Sequence, residues 1–488
     1  MILLVIPLLL FFFFRLVNLN IIPIFADEAI YIHWAQIAWH DHTQRFISLT
    51  DGKPPLHTWL MIPWLKIISD PLIAGRLLSV TAGLLTLVGI YLIIKEVFND
   101  KTAFIAVFLT AISPFLVFYD RLAVADSLLT AFGVWSFYLG LQLINKPDLG
   151  KAFLLGFCWA GGLLSKQPGW YFILLSPSLL LLNRPKKIIK ILLFSAIALT
   201  VGLFGYNLIK LSPYSHLISA RSYDYVLGKR EFLQAPFQLF WGNLKAILFW
   251  IYSYQKIIPS LLFLIGVFLL IKNHWKKALT FLIWLIVPTF GSAAIGKIIF
   301  PRYFLLIEPW IIIFISYGIF LLVKKVRLLF GKAGLFIIYL LVFLPWLIFS
   351  WLIIFKPVKA PLIEREQDQY LTSWSAGYGI KEIAQYLKKN YPQERIDVGT
   401  EGFFGTLPDG LQVYLDGYKN INVFGVGQPL DKVPDNLWER AKLNPTFLVI
   451  NDSRYLGDGI NLELVNKFPK PDFPFFKESL LFFKVKSP

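Results

Sequence analysis

The sequence has a single cysteine, Cys158, set inside an apolar run. That excludes an intrachain disulfide and any cysteine-based metal site, and it makes Cys158 a packing residue. Charge is also scarce: 16% of the 488 residues are Asp, Glu, Lys or Arg, where a soluble chain carries about 25%. The polar C-terminal part contains no Gly-x-Gly-x-x-Gly turn, no P-loop and no His/Cys set at metal-ligating spacing, so no motif there points to dinucleotide, P-loop or zinc chemistry. A basic soluble face is missing too. The net charge is +17, but up to Lys359 there are 32 bases against 13 acids, and beyond it 15 against 17. The excess base belongs to the apolar part, where topology explains it, and nucleic-acid binding is excluded.

What is present is apolar length. Hydrophobic residues make up 57% of the chain and come in long runs, which predicts a polytopic α-helical membrane protein. The runs give about eleven spans, near 2–22, 72–94, 102–119, 124–144, 152–164, 169–183, 191–211, 257–271, 278–295, 303–323 and 333–355. The first run is too long for a signal-peptide core, lacks a basic leader, and is followed by FADEA, a poor cleavage site; it reads as a retained span.

The loops alternate in character. Short basic loops carry Lys95 and Lys101, Lys146 and Lys151, Arg184 to Lys190, Lys272 to Lys277, and Lys324, Lys325, Arg327 and Lys332. The positive-inside rule puts these in the cytoplasm. The N-terminus is then cytoplasmic, and the C-terminal region lies outside a multi-pass plasma-membrane protein. Nine of the 13 acids before Lys359 fall in the opposite set of loops, among them Asp27, Glu28, Asp70, Asp120 and Asp126, so the working face is expected outside. Two external loops are long, about 27–70 and 212–256, and their Trp and Tyr content suits helices lying in the membrane interface. The domains expected are therefore 1–359 in the membrane and 360–488 as a soluble extracytoplasmic α/β domain. In the latter, YGIKEIAQYLKKNYP and NLWERAKL read as helices, and RIDVG, LQVYL, INVFG and TFLVI as strands.

Several short stretches carry chemistry. Asp27 and Glu28 follow the first span and precede an aromatic stretch. An acid just past a span is commonly only solvated, but a carboxylate held at such a boundary loses hydration and becomes more basic, as a general base requires. Lys53 precedes two prolines, so its backbone is stiff; it is either a loop lysine near headgroups or a cation fixed beside a lipid phosphate. YDRLAVADSLLT holds Asp120, Arg121 and Asp126. The first two can cap a turn, whereas Asp126 opens an apolar helix, and ionisable groups at membrane depth usually face an interior site. LLSKQPGW breaks an apolar run at Lys166, as irregular backbone lining a cavity does. IFPRYFLLIEPW brings Arg302, suited to phosphate, with Tyr303 and, deeper, Glu308. Arg15 and Arg76, at or within spans, are expected to snorkel or form internal salt bridges. Lys53, Lys166 and Arg302 are external bases, against the general trend, and with Asp27, Glu28 and Asp126 they suggest one site at the outer leaflet.

This ordered set resembles the dolichyl-phosphate-mannose–protein mannosyltransferase-like proteins of the GT-C glycosyltransferase superfamily, a group that includes bacterial lipid A aminoarabinose transferase. The resemblance rests on Asp27–Glu28, Lys53–Pro54, Asp126, Ser165–Lys166 with Gly169, and Arg302–Tyr303, and spans roughly 2–356. It implies transfer of one sugar from a polyprenyl-monophosphate-sugar to an acceptor lipid, protein or glycan at the outer face. The lipid phosphate leaves and the anomeric centre inverts. It implies Asp27 as base beside Glu28, with Asp126 in the catalytic set. Lys53, Lys166 and Arg302 would hold the phosphate, supported by Arg121, Tyr303 and Glu308. Transfer would be metal-independent or weakly metal-linked; some relatives hold a divalent metal through a later His, for which His216 is the candidate.

Two readings of other classes compete. A transporter of lipid-linked sugars predicts two related halves with paired midplane breaks, and no such repeat is seen in the sequence. A membrane scaffold with a partner-binding outer domain gives no reason for bases in three separate external loops.

Overall fold

A computed structural model describes residues 4–183, 187–457, 461–472 and 477–486, without the side chains of 324 and 326–339. Arg184, Lys186 and the side chains of Lys324, Arg327 and Lys332, all in expected basic loops, lie outside the described residues. The chain divides into two compact units. The first comprises 1–19, 43–60 and 76–361; the second comprises 20–42, 61–75 and 362–488.

The first unit is helical, as the apolar runs predict. Among the described residues, five helices are long and apolar enough to cross a membrane: Pro71–Val97, Ala125–Asn145, Ile188–Leu211, Ile257–Ile295 and Pro301–Val323. Val5–Leu16, Leu149–Ser165 and Leu340–Phe355 are shorter and apolar. Ile189, Leu192, Leu193, Leu199 and Phe204 all stand exposed along one of the long helices, a row suited to lipid rather than water.

The eleven expected spans do not map one to one onto helices. The run 102–119 is split at Ser113, where Pro114 starts the new helix Pro114–Tyr119. The runs 257–271 and 278–295 share one 39-residue helical stretch, bent at His274, where φ is −151° and the backbone leaves helical geometry. The last two runs share Glu308–Phe355. Glu308 bonds Ser113 while Ser350 bonds the carbonyl of adjacent Ile112. A straight helix would separate those two positions by about 60 Å, so the chain reverses between them and forms an antiparallel pair.

Two buried arginines pin the end of Val5–Leu16. Arg15 donates to Asp120 at 2.9 Å and to the carbonyls of Ala111 and Thr110, which is the internal salt bridge expected of it. Arg121 donates to the carbonyls of Phe14, Arg15, Val17 and Asn18 at 2.6–3.1 Å. These are the orphan acceptors that a helix end leaves behind. Arg76 takes the next one, the carbonyl of Leu19, at 2.7 Å.

Helices Ile257–Ile295 and Glu308–Phe355 cross at Gly266 and Gly318. A Cβ on Gly266 would lie 2.0 Å from the Phe314 carbonyl oxygen, so only glycine allows this approach. Gly266→Leu is expected to cost about 1–3 kcal/mol, read as a lower melting midpoint of the purified protein in detergent.

The second unit holds a five-stranded sheet of β1 (Ile396–Glu401), β2 (Ile421–Gly427), β3 (Thr446–Asn451), β4 (Leu462–Pro469) and β5 (Ser479–Val485), in the order β2-β1-β3-β5-β4. β1 pairs in parallel with β2 and β3, and β5 pairs antiparallel with β3 and β4. The expected helices are Ile380–Asn390 and Asp435–Ala441. LQVYL, expected as a strand, lies in the helix Asp409–Tyr414 and its C-cap. Five residues of mixed polarity fit either period, and here Leu411, Tyr414 and Leu415 share a buried helical face. The helix Ala26–His40 belongs to this unit: Gln36 donates to the Val413 carbonyl at 3.0 Å, and His33 Nδ1 lies 2.7 Å from Asp409 Oδ1.

Candidate functional site

The break at 166 is built locally. Leu149–Ser165 ends where Lys166 turns extended (φ −163°, ψ 148°), and Pro168 cannot continue the helical hydrogen bonding. Gly169 then packs on Gly162 so closely that a Cβ would sit 2.4 Å from backbone. The tight return aims the Lys166 side chain at the start of Ala125–Asn145. Its Nζ lies 2.6 Å from Asp126 Oδ1 and 3.9 Å from the centroid of the Tyr303 ring. Asp126 is in the first turn of its helix, where the helix N-terminus favours an anion.

Arg302, the residue before Tyr303, also lies against that ring. It lies in the 3-10 turn Pro301–Ile307, with its guanidinium carbon 5.7 Å from the Tyr303 centroid and 5.2 Å from that of Phe300. Two cations on aromatic faces are each attracted by the ring quadrupole. Lys166, Asp126, Tyr303 and Arg302, three of them distant in sequence, are thus brought together.

Lys53 follows Gly52, which takes a left-handed φ of +68° and closes the 3-10 turn Ile47–Asp51. Its backbone N–H donates to Ser48 and its Nζ lies 3.2 Å from Asp51 Oδ2. Gly52 rests on the helix Leu217–Tyr225: a Cβ there would lie 2.8 Å from the Leu217 carbonyl oxygen. Gln167, next to Lys166, donates to the Ile218 carbonyl of the same helix at 3.1 Å. The Lys53 turn and the Lys166 break therefore share one support.

His57 is a residue that sequence reasoning missed. It is fully buried, and burial followed by the nearby Lys166 charge hold its imidazole down at about 3, so it stays neutral at physiological pH. The only sequence signal for it is its place four residues after Lys53 in KPPLHTWL.

The remaining expected residues fall elsewhere. Arg121 caps the first helix, as described. Glu308 is buried and accepts from Ser113 Oγ at 2.9 Å and Gln255 Nε2 at 2.8 and 3.0 Å; this ties three helical segments together. His216 Nδ1 sits 2.9 Å from the Pro213 carbonyl oxygen in its own turn. Among the described residues no three His, Cys, Asp or Glu side chains converge as a metal-binding group.

Asp27 and Glu28 belong to the second unit, in the first turn of Ala26–His40. Glu28 is fully buried and accepts from the Phe25 N–H at 3.3 Å. The Ala26 N–H donates to the Ser375 carbonyl at 3.1 Å, and the Phe25 ring packs edge-on against Tyr370 with centroids 4.5 Å apart. Asp27 therefore stands on a firmly held helix start.

Over residues 52–208 the chain matches the family model for dolichyl-phosphate-mannose-protein mannosyltransferase, a segment containing Lys53, His57, Asp126 and Lys166. No curated protein matches the chain. Among solved structures it is similar to ArnT from Cupriavidus metallidurans bound to undecaprenyl phosphate, at 14% identity and a TM-score of 0.62, over 99% of this chain and 97% of that one. It is also similar to the oligosaccharyltransferase AglB from Archaeoglobus fulgidus in complex with an inhibitory peptide and a dolichol-phosphate, at 12% identity and a TM-score of 0.54, over 92% and 69%. The Archaeoglobus fulgidus oligosaccharyltransferase in complex with Zn and sulfate gives 13% identity and a TM-score of 0.53, over 92% and 68%. The resemblance read from the motifs holds in both comparisons, and the fold is of the GT-C type.

Proposed function

We propose that this protein, which carries the GT-C glycosyltransferase fold, moves a single sugar from a polyprenyl-monophosphate-sugar to an acceptor at the outer face of the membrane. The observation that carries the reading is the gathering of Lys166 and Arg302 on Tyr303, with Asp126 fixing the ammonium at 2.6 Å. Such a group suits an oxyanion, and ArnT, whose fold this chain shares, has been captured with undecaprenyl phosphate.

In the proposed reaction Asp27 takes the proton of the acceptor nucleophile. The freed lone pair attacks the anomeric carbon as the bond from that carbon to the phosphate oxygen breaks, with inversion. The electron pair leaves on polyprenyl phosphate, whose growing charge Lys53, Lys166 and Arg302 stabilise. Preorganised donors in a water-poor site are worth about 3–4 kcal/mol each in such a transition state. Asp126 acts through Lys166. We further propose that the N-terminus is cytoplasmic and the C-terminal domain outside.

The test is release of polyprenyl phosphate by purified protein given a polyprenyl-phosphate-sugar and candidate acceptors. Acceptor-dependent release is expected, and Arg302→Ala should slow it about 100- to 1,000-fold, the loss of one preorganised donor to the leaving group. Transfer of the intact donor across vesicles, with no bond cleaved, would instead make the protein a transporter. Release unchanged in Arg302→Ala and Lys53→Ala would remove the phosphate site.

A further inference from the structure

In the second unit β1 and β3 lie side by side in parallel, while the chain leaves β1 toward β2 on one flank and β3 toward β4 and β5 on the other. The carboxyl ends of such neighbours are the usual ligand position of open α/β sheets. Here β1 ends in Glu401 and β3 in Asn451, and a polar network occupies the place. Asn451 donates through its backbone N–H and Nδ2 to the Glu401 carboxylate at 2.7 and 2.6 Å. Buried Lys470 donates to Asn451 Oδ1 at 2.6 Å and to the Ser373 carbonyl at 2.9 Å. Arg454 lies 3.4 Å from Glu401, donates to Gln428, and places its guanidinium carbon 4.0 Å from the centroid of the Trp374 ring. Such a network is costly to bury and rigid once satisfied.

Around it stand exposed aromatics. Trp374 is 40% exposed and Phe403 is 74% exposed. Gly402, Gly405 and Gly427 take left-handed φ values of +66°, +115° and +112°, which let the loop after β1 turn tightly under Phe403, with the Gly402 N–H on the Gly427 carbonyl at 2.9 Å and the Gly405 N–H on Asp409 at 2.7 Å. A Cβ on Gly405 would meet only the Trp374 ring, at 4.0 Å. The charges cancel: Lys470 and Arg454 face Glu401 and Glu478, and Ser453 donates to the last. Within this network of described residues, two bases thus stand against two acids. Flat apolar faces beside carboxylate, amide and guanidinium edges match a molecule with C–H faces and many hydroxyls.

We propose that the carboxyl ends of β1 and β3 form a binding subsite for a neutral saccharide, which serves as the acceptor. The role as acceptor rests on the transfer reaction proposed above; the binding does not. Trp374 precedes Ser375, whose carbonyl accepts the N–H of Ala26, the residue before Asp27, at 3.1 Å, so the segment carrying Trp374 is hydrogen-bonded to the one carrying the proposed base.

The test uses full-length protein in detergent on an array of immobilised neutral oligosaccharides, uronic-acid oligosaccharides and Ser/Thr peptides. Binding to neutral oligosaccharides is expected, at least tenfold weaker in Trp374→Ala and in Phe403→Ala. Phe403 is mostly exposed, so its variant keeps the fold if Trp374→Ala does not. Binding only to uronic acids or only to peptides overturns the proposal, as does neutral-glycan binding indifferent to Phe403→Ala. If saccharide binding behaves as expected but no polyprenyl phosphate is released from any donor, the subsite stands and the transfer reaction falls.

Discussion

Asp27→Asn is expected to slow acceptor-dependent release of polyprenyl phosphate by about 100- to 10,000-fold, the range that general-base help supplies. The substitution keeps the side chain's size and its place in the first turn of Ala26–His40. That turn is held by contacts Asp27 does not make: Ala26 to Ser375, Phe25 to Glu28, and the Phe25–Tyr370 ring pair. The variant should therefore keep the helix start and bind polyprenyl phosphate with unchanged affinity, because the proposed phosphate ligands are other residues. The loss should fall on kcat. Glu28→Gln is the control. Glu28 is buried and holds the Phe25 N–H, so its loss should read as a stability change of about 0.5–2 kcal/mol, the worth of a helix N-cap, with turnover largely kept. A parent-like rate in Asp27→Asn would remove Asp27 from the chemistry.

The helical class was legible in the sequence because membrane helices need only length and apolarity, and both are local properties. The helix ends were less so. Nothing local distinguishes a loop at 272–277 from the bend that His274 makes there, since both satisfy a short polar interruption. In the C-terminal region β1, β2 and β3 lay in three short apolar segments and were readable. β4 and β5 were missed, since the 470–478 connection carries no Asn-Gly or Asp-Gly turn to announce a hairpin. The candidate site divides the same way. That Lys166 and Arg302 are external bases against the trend could be read from charge sorting along the chain. That Tyr303 lies against both, and that Asp126 binds Lys166, depends on segments up to 177 residues apart meeting in space. His57 gave little signal beyond its place after Lys53, because a lone histidine in an interfacial stretch looks the same whether it is solvated or, as here, fully buried.

Lys166→Ala should lower turnover by about 100- to 1,000-fold, as loss of a preorganised charge facing the leaving group does. It should also destabilise the fold, because Asp126 is only 4% exposed and would lose its 2.6 Å partner. Breaking a buried pair costs about 3–5 kcal/mol; Lys166 is itself 24% exposed, so water screens it and about 3 kcal/mol is an upper bound. The two losses separate in the double variant. Lys166→Ala with Asp126→Asn leaves no stranded charge, so most of the melting temperature should return while turnover stays as low as in Lys166→Ala alone. Asp126→Asn by itself should cost less activity than Lys166→Ala, since a positioning partner is lost but the cation remains. Melting midpoints and polyprenyl phosphate release on the four proteins decide the matter. If turnover returns together with stability in the double variant, Lys166 is only a structural partner of Asp126 and the phosphate must be held by other groups.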